Sequence, residues 1–146
     1  MAYATQADLL QRMTLLQLTQ LTDDATPKAG VPDATKVNGA LEEASGRVDS
    51  YCRGRYVTPL QQSDTVTTIT RDVAVYFLFS RRPQQMAETV RQRYEDAMAL
   101  LKDVASGKAV LDQPVSAAAP QSVSAEAVKP THDRQRFTDK DIHGFV

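Results

Sequence analysis

The spacing of apolar residues predicts an α-helical chain. The clearest case is the segment of about residues 35–53, in which apolar side chains recur at intervals of four and three, the repeat of one helix face. These positions are Val37, Leu41, Ala44, Val48 and Tyr51. Asp33 provides an N-cap, and Pro59 disfavours helical geometry at Thr58. We therefore expect a long helix that ends in an extended corner.

Gly39 and Gly46 lie inside this helix, and each costs about 1 kcal/mol relative to alanine. Because they are seven residues apart, they share a helix face. Close approach of a neighbouring backbone is one interpretation of the pair, and a kink is the other.

Two short helices precede the long one. Thr5 is the expected N-cap of a helix that reaches Met13, and Thr14 is the expected N-cap of a second helix over residues 15–21. Together they form a leucine-rich hairpin. Residues 22–33 contain two prolines and a glycine and are predicted to be a loop.

Two longer helices follow the corner. Asp64 is the expected cap of a helix over about residues 65–81, although the β-branched residues of its first turn also fit a strand. This helix is apolar nearly all round towards its end, which is typical of a buried helix or of one at a subunit interface. The last helix covers about residues 85–106, and Gly107 stands where a left-handed C-cap is expected.

These segments predict an all-α fold: a small helical bundle with a long central helix and an extended C-terminal tail. We expect a helical domain over residues 1–108 and a flexible linker with a docking peptide over residues 109–146. Ala109 to Leu111 fits a short strand, whereas residues 113–130 are rich in Ala, Ser, Val and Pro and have no period. The tail then offers apolar anchors and two arginines that we expect to bind a partner: Arg134, Arg136, Phe137, Ile142 and Phe145.

Composition narrows the function classes. The formal net charge of −1 does not indicate a global electrostatic grip on nucleic acid or on an anionic membrane. No apolar run approaches the roughly 20 residues that span a bilayer, and no signal peptide is visible, so no membrane partner is expected. One cysteine excludes an intrachain disulfide and fits a reducing compartment. We expect a protein made in the cytoplasm.

Catalytic, cofactor and metal sites are not expected. His132 and His143 are eleven residues apart on the tail, and Cys52 stands far from both, so neither metal-ligand spacing nor a nucleophile with its base is visible. A structural thiol is the favoured interpretation of Cys52. The chain is therefore predicted not to be an enzyme and to need no cofactor.

The arginines allow two interpretations. One is a DNA-facing surface that contacts phosphates without base readout, and the other is ion pairing within the chain or between subunits. Ion pairing is favoured, because arginine and tyrosine are enriched where proteins meet. Arg53, Arg55 and Tyr56, at the corner after the long helix, fit that profile and are predicted to bind a partner.

The order of several short motifs resembles the Mu-type head-to-tail adaptor family of tailed bacteriophages. The residues that carry the resemblance are Tyr3-Ala4-Thr5 with Asp8-Leu9, the Leu18–Asp23 run, Ala40–Ser45 with Val48-Asp49 and Tyr51, Arg55–Leu60, Asp72–Leu78, Arg93–Ala97 with Leu100-Leu101, Gly107-Lys108, Arg136–Thr138 and Gly144-Phe145. The region around residues 117–130 carries none.

The resemblance implies a structural head-tail connector without catalysis. In that family, a ring of about twelve identical copies, matched to the portal's symmetry, binds the phage portal protein. The ring extends the channel through which double-stranded DNA passes without sequence readout, and it offers a platform to a tail-side neck or tail terminator protein. The expected location is the head-tail neck of the virion. A nucleic-acid-binding helical module is the alternative function.

Overall fold

The computed structural model describes residues 1–117, which form five α-helices and one short 3-10 helix. The α-helices are α1 (Gln6–Leu9), α2 (Leu15–Thr22), α3 (Ala34–Cys52), α4 (Asp64–Ser80) and α5 (Glu88–Ser106), and the 3-10 helix is Pro83–Gln85. No β-strand occurs within the described part, so the predicted all-α bundle is confirmed. The part of the predicted linker and docking peptide that follows residue 117 lies outside the described residues.

Three predicted helix caps are confirmed. The side chains of Thr5 and Thr14 accept hydrogen bonds from backbone N–H groups of the first turns of α1 and α2, and Asp33 does the same for α3. Gly107 ends α5 in the left-handed conformation, with φ of 84°. Helix α1 is shorter than expected, since it ends at Leu9 and not at Met13.

Two predicted boundaries need correction. Ser63, not Asp64, caps α4, and Asp64 is its first residue, where a carboxylate favours the positive end of the helix dipole. Helix α5 begins at Glu88 rather than at residue 85. Met86 has extended geometry but still packs against the core. Because it lies four residues before Val90, its position fitted the apolar repeat of a helix.

The core lies between the three long helices. Helix α4 packs most extensively on α3 and also contacts α5 and α1. Val66, Val73 and Leu78 of α4 are completely buried. The predicted placement of an apolar α4 in the interior thus agrees with the structure.

The glycines of α3 do not mark a close contact. A Cβ at Gly39 or Gly46 would meet no heavy atom within 4 Å, and both residues are exposed. The interpretation that a neighbouring backbone approaches them is therefore wrong.

The segment after α5 packs back on the domain. Leu111 is buried, and the Gln113 side chain exchanges two hydrogen bonds with the backbone of Gln61, at 2.7 and 2.9 Å. The short strand expected at Ala109 to Leu111 is absent, because backbone pairing occurs further on, in a single antiparallel bridge between Tyr56 and Val115. The domain boundary after residue 108 stays a prediction.

Candidate functional site

The corner after α3 turns the chain into the core. The backbone N–H groups of Arg55 and Tyr56 both donate to the Cys52 carbonyl at 2.9 Å, so the last turn of α3 closes tightly. Arg53, the C-cap, is exposed. Leu60, by contrast, is buried, so the corner carries an apolar anchor into the core.

Tyr56 lies inside the protein. Its side chain is 3% exposed, and its hydroxyl accepts a hydrogen bond from the Leu111 N–H at 2.9 Å. On either side of it, Val57 N–H donates to Pro114, and Ser116 N–H donates to Arg55. These bonds hold the corner against the segment after α5. Partner binding by Tyr56 stays a prediction, and in this conformation the tyrosine exposes little surface to a partner.

Arg55 is half-buried and directed at the end of α5. Its guanidinium occupies the space that a Cβ at Gly107 would take, and its Nε is buried without a hydrogen-bond partner. A cation at the C-terminus of a helix is favoured by the helix dipole. Of the three corner residues predicted to bind a partner, Arg53 therefore offers the most accessible side chain. The tail residues predicted for the same role, Arg134, Arg136, Phe137, Ile142 and Phe145, lie outside the described residues.

Tyr3 links several parts of the fold, and the apolar periodicity of the sequence did not reveal this role. Its hydroxyl accepts from the Leu60 N–H at 2.8 Å and donates to the Asp49 carboxylate. Its N–H donates to the Ser45 hydroxyl, and its carbonyl accepts from the Thr67 hydroxyl, both at 3.0 Å. Burial and the bond to Asp49 raise the pKa of Tyr3 to about 12. Tyr3 thereby joins α3, the corner and α4.

A half-buried aromatic cluster connects the three long helices. Tyr76 of α4 stacks on Tyr94 of α5 with ring centroids 3.8 Å apart, and Phe77 meets both rings at 6.3 Å. The Arg47 guanidinium of α3 lies 5.7 Å from the Phe77 centroid. Partly exposed aromatic residues beside an arginine are typical of protein interfaces. The interpretation of α4 as an interface helix had pointed to this region.

A second surface is formed by exposed leucines of α2 and of the turn before it. We call Leu10, Leu15 and Leu16 the leucine surface; they are 40%, 55% and 67% exposed. Two pockets of about 390 and 440 Å³ flank it and share Leu15. The sequence predicted a leucine-rich hairpin here, and its local pattern did not indicate which of the leucines would be exposed.

Most arginines of the described part pair with acidic side chains, as predicted. Asp72 accepts Arg12 at 3.0 Å, and Arg71 lies 3.6 Å from the same carboxylate. The largest cluster was not foreseen: Lys36, Arg81 and Arg82 converge on Asp24. These bonds hold the pKa of Asp24 far below its usual value.

The thiol of Cys52 is buried, and burial raises its pKa to about 11. The described residues contain no group of three metal-binding side chains. Within residues 1–117, no helix combines the length and apolar character needed to cross a bilayer.

The chain is similar to proteins of phage Mu and of a Mu-like prophage. The profile of the family described as "Bacteriophage Mu, Gp36" matches residues 3–129. The "Mu-like prophage FluMu protein gp36" of Haemophilus influenzae is 41% identical over 109 residues, which cover 72% of each chain. "Gene product J" of Escherichia phage Mu is 33% identical over 108 residues, which cover 74% of each chain.

Proposed function

Since the chain belongs to the Bacteriophage Mu Gp36 family, we propose that this Mu-type phage protein is a head-to-tail connector. Copies of it form a ring beneath the portal protein, extend the DNA channel and join the capsid to the tail. The resemblance read from the ordered motifs is confirmed at the level of the family, and the connector role is the step proposed here.

The observation that carries the proposal is the leucine surface. Leu15 and Leu16 are 55% and 67% exposed, whereas Leu18 and Leu21 of the same helix are buried. Helix α2 contains no charged residue, and beside the exposed leucines it presents only the uncharged side chains of Gln17 and Gln20 and the half-buried Thr19. An apolar, uncharged helix face of this kind favours contact with another protein.

A ring needs two different surfaces on each copy, because each subunit meets one neighbour on either side. The leucine surface, on α2 and the turn before it, supplies one candidate. The aromatic cluster of Tyr76, Phe77, Tyr94 and Arg47, on α3, α4 and α5, supplies another. The aromatic cluster contains tyrosine and arginine, which contribute most to binding at interfaces, whereas the leucine surface supplies apolar area that can exclude water there.

Nucleic-acid binding is the alternative, and the ion pairs weigh against it. Arg12, Arg71, Arg81 and Arg82 each lie within 4.0 Å of a carboxylate, so much of their charge is already neutralised. A connector ring requires only that double-stranded DNA pass through without base readout. A dedicated nucleic-acid module would instead bind DNA as a free subunit, and its affinity would fall steeply with salt.

The proposal is tested by native mass spectrometry and negative-stain imaging of the full chain, alone and mixed with the portal protein of the same phage. We expect rings of one stoichiometry that bind the portal. Leu16→Glu should reduce ring or portal binding by at least about tenfold, corresponding to roughly 1.4 kcal/mol. Val110→Glu, which places the same charge at a side chain that is 77% exposed, is the matched control and should assemble normally.

A chain that stays monomeric with its portal, at concentrations where other connectors assemble, would contradict the proposal. Tight salt-dependent DNA binding by that monomer would favour the alternative. The tail-side protein can be added to the preformed ring–portal complex, and its capture only in the presence of the ring would support the joining role.

A further inference from the structure

We propose that the leucine surface is the docking site for residues 134–145 of a neighbouring copy of the same chain. The inference rests on the proposed function, since a ring holds copies side by side. Apolar side chains of the tail would then fill the two pockets beside the leucine surface.

The leucine surface faces away from the core that the described residues form. Around an α-helix, Leu16 lies about 160° from Leu18, at 100° per residue, so it points away from the core that Leu18 enters. Leu15 forms part of the wall of both pockets, and Leu10 borders the second. Volumes of 390 and 440 Å³ are each sufficient for a large apolar side chain.

The C-terminal segment offers matching side chains. Phe137, Ile142 and Phe145 are large and apolar, and they follow one another at intervals of five and three residues. Aromatic and aliphatic side chains that fill adjacent pockets are the usual anchors of a peptide contact. Two pockets that share a leucine can therefore receive two anchors of one segment.

A cation beside the first pocket can pair with the acidic residues of the segment. Lys28 borders the first pocket, and its Nζ reaches the backbone oxygen of Asp23 only at 3.5 Å. Within residues 1–117, no carboxylate lies within 4.0 Å of that ammonium group. Asp139 and Asp141 stand between the apolar anchors of the segment, where either can pair with Lys28 as the anchors enter the pockets.

The chain is long enough for this contact. It leaves the described part at Ala117, beside the corner after α3, whereas the first pocket adjoins the loop that leads into the start of α3. Helix α3 is about 28 Å long, from 1.5 Å per residue. The twenty residues from Ala117 to Phe137 span at most about 70 Å. In a ring, each copy gives one segment and receives one, so every pocket is filled and the contacts close.

Disulfide trapping in the full chain tests the proposal. Leu16→Cys and Phe145→Cys are introduced together, and the exposed position of Leu16 makes the first change mild for folding. The native Cys52 is buried and its thiol has a raised pKa, so it should not compete. After mild oxidation, we expect a disulfide between copies, in at least about tenfold excess over a control pair, because a docked segment has a high effective concentration.

The control pair combines Phe145→Cys with Glu42→Cys, an exposed residue on α3 outside both pockets. A disulfide within one copy would overturn the assignment to a neighbour, and equal trapping by both pairs would overturn the docking site. Native mass spectrometry of the unoxidised sample separates the two proposals. A ring without specific trapping refutes only the docking site, whereas specific trapping without portal binding refutes the connector role.

Discussion

The Tyr56 hydroxyl accepts a hydrogen bond from the Leu111 N–H at 2.9 Å, and this bond joins the corner after α3 to the segment after α5. Both residues are buried. Leaving a buried N–H group without a hydrogen-bond partner costs about 1–3 kcal/mol of stability. The main effect of losing this bond would therefore be the unpaired Leu111 N–H group. The relationship explains why residues beyond α5 remain part of the folded domain as far as the described chain extends.

Tyr56→Phe should therefore lower the free energy of unfolding by about 1–3 kcal/mol, since it removes the acceptor and leaves the Leu111 N–H unpaired. Tyr56→Ala should cost about 3–5 kcal/mol, because the ring is lost from the core as well. Chemical denaturation of both variants measures these values. Val57→Ala, at a side chain that is 53% exposed, is the control and should stay within about 0.5 kcal/mol. A wild-type midpoint for Tyr56→Phe would contradict the role of the hydroxyl.

Gly107→Ala should destabilise the protein by two separable effects. The left-handed φ of 84° costs an alanine roughly 1–2 kcal/mol, and the new Cβ would collide with the Arg55 guanidinium. Gly30→Ala is a matched control, because Gly30 has φ of 75° but no heavy atom within 4 Å of an added Cβ. The difference between the losses in unfolding free energy of the two variants measures the cost of displacing Arg55. In an Arg55→Ala background that difference should shrink, and an unchanged difference would exclude the contact as its cause.

The sequence was sufficient to predict the helices and their main caps. Helix α3 shows this well, because one apolar stripe and the cap at Asp33 determine its extent within one residue at either end. The local sequence did not identify the helix cap where two adjacent residues can both serve as one. Ser63 and Asp64 can both cap α4, and only the observed hydrogen bond from Val66 N–H to the Ser63 hydroxyl decides between them.

Contacts between distant residues could not be predicted in this way. Tyr3 bonds with residues 42 to 64 positions away, from a stretch that has no period. Asp24 gathers cations from α3 and from the end of α4, and nothing in its local sequence indicates this. The family resemblance drew attention to Tyr3, but it did not indicate which residues Tyr3 contacts. Roles of Arg53, Arg55 and the tail in partner binding stay predictions.

Asp24→Asn should destabilise the protein at neutral pH, and this effect should shrink in acid. Hydrogen bonds from Lys36, Arg81 and Arg82 lower the pKa of Asp24 in the folded state. A lowered folded pKa contributes stability above the ordinary value of 3.8, and this contribution is lost as pH falls through the folded pKa. Urea denaturation at pH 7 and at pH values below 3.8 should thus show a gap between wild type and variant that narrows in acid. Asp112→Asn, at an exposed residue, should show no such gap at pH 7.

Tyr3 should make the protein sensitive to alkali. Burial and the bond to Asp49 raise its pKa from the ordinary value of 10.0 to about 12, so the folded state keeps a proton that the unfolded state releases. The associated stability is fully present below pH 10 and is lost as pH rises from 10 towards 12. The full loss corresponds to about 3 kcal/mol, at 1.36 kcal/mol for each factor of ten in acidity.

Tyr3→Phe isolates this effect. At pH 8 the variant should be less stable than wild type by about 1–3 kcal/mol, because the Leu60 N–H loses its acceptor. As pH rises above 10, the difference should shrink, since only wild type loses the contribution of the tyrosine proton. The buried Cys52 thiol, whose pKa is raised from 9.0 to about 11, is present in both proteins, so its desolvation does not by itself produce a difference between them. Denaturation midpoints across pH 8–11 measure the difference, and a constant gap would show that the Tyr3 hydroxyl titrates alike in the folded and unfolded chains.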